Sequence, residues 1–97
     1  MKRIGEPAAE LQFNADTHTV TTPKGTFTLP RKEFEILQLL KSDTSRIFTR
    51  EEIFDTVWGQ GVVVGSRTLD VHIRHLRSKI GNNHIATYKG VGFRYEE

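Results

Sequence analysis

The densest chemistry in the chain lies in residues 66–81, S-R-T-L-D-V-H-I-R-H-L-R-S-K-I-G. At about 100° per residue on a helical wheel, Leu69, Ile73, Leu76 and Ile80 form one apolar stripe. Arg67, Val71, Arg74, His75 and Ser78 stand on the opposite face. Thr68 and Lys79 lie on one flank, Arg77 and Asp70 on the other. Long cations on such a face suit phosphates, which supply salt-dependent affinity without sequence information. Short or hydrogen-bonding side chains suit base edges in a major groove, and a valine amid charges suits a thymine methyl. A second group follows in Y-K-G-V-G-F-R-Y, residues 88–95, where Lys89 and Arg94 flank a glycine-containing turn. Basic groups on a projecting ribbon suit a neighbouring minor groove or phosphates.

The charge distribution agrees with that placement. Residues 1–58 hold eight Lys/Arg and nine Asp/Glu, whereas residues 59–95 hold six Lys/Arg against Asp70 alone. A net charge of +2 therefore hides a basic half and a near-neutral half, the footprint of either a polyanion surface or a solvated basic face. Other chemistries lack their residues. With no cysteine there is neither a disulfide nor a thiolate metal site. No glycine-rich phosphate loop or paired carboxylates appear, so no enzyme activity is expected. His72 and His75 stand three apart on one helix, but the sequence indicates no carboxylate or third ligand beside them, so neither a metal nor a cofactor is expected. No apolar run has the length of a membrane span, and the first residues lack the apolar core of a signal peptide. A cytoplasmic protein is expected.

The elements that must position these groups read as one small α+β domain over residues 7–97, after a linker at 1–6. Leu11–Phe13, Thr17–Thr22 and Thr26–Leu29 alternate or are β-branched, with turns at residues 14–16 and 23–25. A helix over residues 31–42 carries Phe34, Ile36, Leu37, Leu39 and Leu40 as its apolar side, with Pro30 at its first position and Glu33 and Glu35 favouring its dipole. Thr49-Arg50-Glu51-Glu52 is a capping box that opens a second helix, with Ile53, Phe54, Val57 and Trp58 inward and Gly59 as its stop. Three glycines around Val62, Val63 and Val64 form a loop whose valines either make an exposed patch or tuck into the core. Ser66 is the expected N-cap of the third helix, and the segments 85–88 and 93–95 close the chain as a hairpin.

Four segments together resemble the effector domain of the OmpR/PhoB-type response regulators of bacterial two-component systems. They are L-P-R-K-E-F-E-I-L-Q-L-L (29–40), F-T-R-E-E-I-F-D-T-V-W-G (48–59), the 66–81 helix and the 88–95 hairpin. The resemblance implies a winged helix-turn-helix with an N-terminal four-stranded antiparallel sheet, three helices and a C-terminal wing. It implies sequence-specific binding to double-stranded promoter DNA, with homodimers on direct repeats. Carried over by position, it assigns Thr68, Val71, His72 and His75 to bases and Arg94 to the minor groove. Arg50, Trp58, Arg67, Arg74, Arg77 and Lys79 go to phosphates, with Lys89 at the wing tip beside them. Gln60, Val62, Val63 and Val64 fall in a loop that contacts RNA polymerase. A receiver domain with a phosphorylated aspartate normally precedes such a domain and answers to a sensor kinase. In this chain Asp16, Asp43 and Asp55 lack an acidic pocket, so the sequence is expected to be the excised effector half, with a stand-alone regulator as the alternative. His75 stands where the family commonly has a cation, and Pro30 where it has a Ser or Thr cap. The competing reading is a winged helix used for protein contacts only, which predicts a mixed outer face and a neutral wing.

Overall fold

The computed structural model describes residues 11–61 and 67–96. The linker expected at residues 1–6, loop residues Val62, Val63 and Val64, and the Ser66 cap lie outside the described residues.

The fold is α+β. It opens on an antiparallel sheet of β1 (Gln12–Asn14), β2 (Thr19–Thr22) and β3 (Gly25–Thr28), in that order. Among the described residues this sheet has three strands, one fewer than the resemblance implies. Val20 pairs with Phe13 on one side and Phe27 on the other, which puts Val20 into the core at 0% exposure. The β-branched run suggests a strand from Thr17, yet β2 begins at Thr19. The reason is a turn. The Asn14 side-chain oxygen accepts the backbone N–H groups of Asp16 and Thr17 at 2.9 and 3.3 Å. His18 then takes a left-handed conformation, φ 55°, with its ring stacked 5.0 Å from Phe34.

Three helices follow. Helix α1 (Arg31–Ser42) is preceded by Pro30, which is the N-cap and not the first helical residue. Proline has no side-chain acceptor, so the helix starts without a side-chain cap, and the Phe34 N–H donates to the Pro30 carbonyl at 2.9 Å. Helix α2 (Arg50–Val57) starts with both halves of its capping box formed. The Glu52 N–H donates to Thr49 Oγ1 at 3.1 Å and the Thr49 N–H to Glu52 Oε1 at 2.9 Å. Helix α3 (Arg67–Ile80) buries Leu69, Ile73, Leu76 and Ile80, with at most 6% of any of them exposed. At roughly 1.5–3 kcal/mol per buried aliphatic side chain, this stripe outweighs any surface preference of the helix and fixes its rotation against α1 and the core.

The chain closes with β5 (Ile85–Tyr88) and β6 (Gly92–Tyr95), the expected hairpin. The sequence gives no hint of a third partner, but a two-residue strand before α2, β4 (Phe48–Thr49), pairs with β6. The order of this second sheet is β4-β6-β5. It ties the wing to the entry of α2, and Phe93 and Tyr95 enter the common core.

Gly92 is required at the point where β4 crosses β6. A Cβ there would sit 1.9 Å from the Phe48 carbonyl oxygen, a backbone atom that cannot swing aside. Gly90, at the hairpin tip, has open space around it and a φ of +77°. Gly92→Ala should therefore cost about 3 kcal/mol or more, and Gly90→Ala only about 1–2 kcal/mol from backbone strain. Urea denaturation of the two variants checks the ranking. Equal losses would mean that β4 does not hold the wing.

Candidate nucleic-acid interface

Once the stripe is buried, the rest of α3 divides by angle. Arg67, Val71, Arg74 and Ser78 are exposed on the outer face. Val71 keeps 44% of its surface exposed, one of only two large hydrophobic residues so exposed among those described. Neither Arg67 nor Arg74 has a side-chain hydrogen bond or ion pair among the described residues. Thr68 is half-buried at the start of the same face.

The flank towards the wing is tied down. Arg77 donates from Nε and Nη2 to the Ile85 carbonyl at 3.2 and 2.6 Å, and from Nη2 to Thr87 Oγ1 at 2.7 Å. Its guanidinium, expected at a phosphate, joins the helix to β5. Arg50 pairs with Asp70 at 2.5 Å and lies 5.3 Å from the Phe93 ring centroid. That pairing neutralises the single acid on the basic half. Between α3 and the wing runs a cleft of about 380 Å³ lined by Arg50, Arg74, Arg77, Ser78 and Thr87 among others. Its open shape and the cationic side chains along its rim suit a backbone or groove edge more than an enclosed small molecule.

The flank towards α1 converges on a buried carboxylate. Glu33, 2% exposed, has Oε2 at 3.1 Å from His72 Nδ1 and 3.0 Å from His75 Nδ1. Lys79 Nζ lies 3.5 Å from its Oε1. Glu33 was expected only to favour the helix dipole. A signal was present, because its spacing to Ile36, Leu37 and Leu40 puts it on the buried stripe of α1. His72, expected at a base, is instead turned inward between Glu33 and Trp58, whose ring centroid is 5.6 Å away. Its side chain is 24% exposed, whereas that of His75 is 54% exposed. Trp58 packs partly buried against the core, beside Phe54 and under Lys32 Nζ at 5.6 Å.

The wing projects Lys89, Gly90 and Val91 into solvent. Lys89 is unpaired among the described residues, and Val91 is 51% exposed, an apolar tip that the sequence reading did not single out. Arg94 pairs across the hairpin with Ala86, so by strand alternation it faces away from Thr87 and Phe93. Its Nη2 donates to Glu96 at 3.0 Å, its guanidinium lies 5.6 Å from the Tyr88 ring, and its buried Nε has no hydrogen-bond partner among the described residues. Of the loop residues carried over from the resemblance, Gln60 is described and exposed.

The Glu33 carboxyl is held below its ordinary pKa. Burial pushes it up, but hydrogen bonds from His72 and His75 and the nearby charge of Lys79 more than offset that. Because the folded value lies below the unfolded one, the stabilisation is complete above the unfolded pKa and is lost as pH falls through the folded one. Glu33→Gln should be less stable at pH 7 by about 1–3 kcal/mol, with the gap closing in acid. Urea titrations of both proteins at neutral and acid pH test this, and a gap independent of pH would contradict it.

Residues 24–95 match the family model described as "Transcriptional regulatory protein, C terminal". The sensory transduction protein RegX3 of Mycobacterium tuberculosis is 37% identical over 91 residues, which cover 89% of this chain and 40% of that protein. The chain thus spans less than half the length of the curated relatives it matches. The crystal structure of the DNA-binding domain of Bacillus subtilis CssR superposes with a TM-score of 0.81 at 28% identity, covering 90% of this chain and all (100%) of that one. The DNA-binding domain of the response regulator AdeR, solved in complex with an intercistronic region, gives a TM-score of 0.76 at 25% identity over 90% of this chain and 94% of that one.

Proposed function

The chain belongs to the family of C-terminal domains of transcriptional regulatory proteins, the OmpR/PhoB-type DNA-binding effector domains, and from that premise we propose that it reads double-stranded promoter DNA by laying α3 in the major groove and its wing along the adjacent minor groove. The observation that carries this reading is the outer face of α3, where two arginines without a partner among the described residues bracket an exposed valine. Arg67, Arg74 and Lys89 take phosphates. Arg50 joins them by exchanging its exposed partner Asp70 for the DNA backbone. Arg94 reaches the minor groove by releasing Glu96, an exchange favoured by its unsatisfied Nε. Arg77 and Lys79 hold the helix in place and contribute charge only at longer range, and Trp58 supports α3 from behind through His72.

Thr68, Val71 and His75 are the proposed readers of sequence. Val71 suits a thymine methyl. His75 has a definite polarity. A carboxylate can only accept, so the Glu33 bond requires a proton on His75 Nδ1. In the neutral ring Nε2 is then an acceptor, suited to the exocyclic amine of adenine or cytosine. A cation at this position would select guanine instead.

In the whole protein we propose a preceding receiver domain under control of a sensor kinase, cytoplasmic action, and pairs of domains on direct repeats. The loop at residues 59–65, including Gln60, is the proposed contact with RNA polymerase. These readings rest on the family, and the domain itself carries no catalytic role in them.

Two tests follow from the division of labour among cations. The salt dependence of binding to a promoter duplex should have a log–log slope steeper than about −2.5, given that Arg67, Arg74 and Lys89 have no partner among the described residues. Arg74→Ala should shallow it by about 1, whereas Arg77→Ala should lower folding stability by about 1.5–3 kcal/mol. Binding indifferent to salt would sink the DNA reading. Separately, selection from a random duplex pool should show a changed preference for His75→Ala at one position, worth about 1–3 kcal/mol. An unchanged selected site would remove His75 from the readers.

A further inference from the structure

We propose that Glu33, His72 and His75 form a binding site for a divalent transition-metal ion of the zinc class, bridging α1 and α3. The ligand atoms of the three residues lie within 4.8 Å of one another. Both imidazoles aim Nδ1 at the same carboxylate oxygen, at 3.1 and 3.0 Å. In a tetrahedral zinc site with bonds of about 2.0–2.1 Å, neighbouring ligand atoms stand roughly 3.3–3.4 Å apart. The two nitrogen–oxygen edges therefore need to open by only a few tenths of an ångström, while the third edge, within 4.8 Å, closes towards the same length; each neutral imidazole then carries its proton on Nε2 and frees Nδ1 for the ion.

A second observation points the same way. Glu33 Oε1 is buried and has no hydrogen-bond partner among the described residues, although buried carboxylate oxygens ordinarily find one. Its nearest cation, Lys79 Nζ, stands off at 3.5 Å on a side chain that is 30% exposed. Two imidazoles and one carboxylate are a donor set for zinc, nickel, copper or cobalt and a poor one for calcium or magnesium. His75 is half-exposed, so the fourth position faces water, and the ion has an entry path. The charges also agree. A dication over a buried carboxylate replaces the partial neutralisation that Lys79 supplies, so Lys79 competes with the metal.

The test is titration of the 97-residue chain with zinc by calorimetry, and with cobalt, whose absorption reports tetrahedral geometry. Trp58 is the only tryptophan and its ring lies 5.6 Å from that of His72, so quenching of its emission by cobalt or copper localises the ion. One equivalent of zinc should bind and should raise Tm by at least about 4 °C at zinc 100-fold above Kd. His75→Gln, at a half-exposed position that tolerates the change, should weaken binding at least about tenfold while retaining the wild-type circular dichroism. Lys79→Gln should tighten it, and His18→Gln should leave it unchanged. Absence of saturable zinc binding would overturn the proposal. So would affinity within twofold of wild type in His75→Gln, which would put the ion at His18, His84 or the chain terminus.

Discussion

Four side chains on one stripe of α3 decide where everything else on that helix points. Leu69, Ile73, Leu76 and Ile80 are committed to the core, and a 14-residue helix with one face so fixed has no rotational freedom left. Each remaining residue receives its task from its angle to that stripe. Arg67, Val71 and Arg74 stand opposite and face solvent. Arg77, on the wing side, is drawn onto the Ile85 carbonyl. His72, His75 and Lys79, on the α1 side, close around Glu33. A composition count treats the helix cations as equivalent. The geometry separates those that hold the domain together from those left for a partner.

The same constraint explains why a buried carboxylate is tolerated where α1 meets α3. Removing an ion from water costs several kcal/mol unless it is paired and hydrogen-bonded. Glu33 meets that condition on one oxygen with two imidazoles and on the other only with a cation at 3.5 Å. The cluster connects the interior to the outer face through His75, which touches Glu33 at one ring nitrogen and has half of its side chain in solvent. Core electrostatics and the hydrogen-bonding character of the outer face are thereby linked through one residue.

Much of this was legible in the sequence, and the exceptions share a cause. The helix stripes, the Thr49 capping box and the closing hairpin are local patterns, set by spacing within one segment, and they appear at the expected residues. What escaped is long-range. Glu33 and His75 are 42 residues apart, so nothing local announces their contact. β4 is two residues long and exists only because β6 lies beside it. Arg77 looks like a surface cation until β5 places a carbonyl under it. His72 lies about 70° from the centre of the buried stripe on a wheel, on the α1 side, so its inward position follows from its own angle, and only the family resemblance sets it at a base. The β1-β2-β3 sheet shows a milder case, in which an Asn14 turn and left-handed His18 shorten β2 against its β-branched signal.

The central claim is that α3 presents Arg67, Val71, Arg74 and His75 to DNA while Arg77 and Glu33 hold it from behind. The most direct measurement is an NMR titration of the isotope-labelled domain with a cognate duplex, read residue by residue. The account predicts the largest shifts at residues 67, 68, 71, 74, 75 and 78 and at the wing tip, 89–91, with the β1-β2-β3 sheet undisturbed. Shifts concentrated on that sheet, or an outer face of α3 that does not respond to bound DNA, would contradict it.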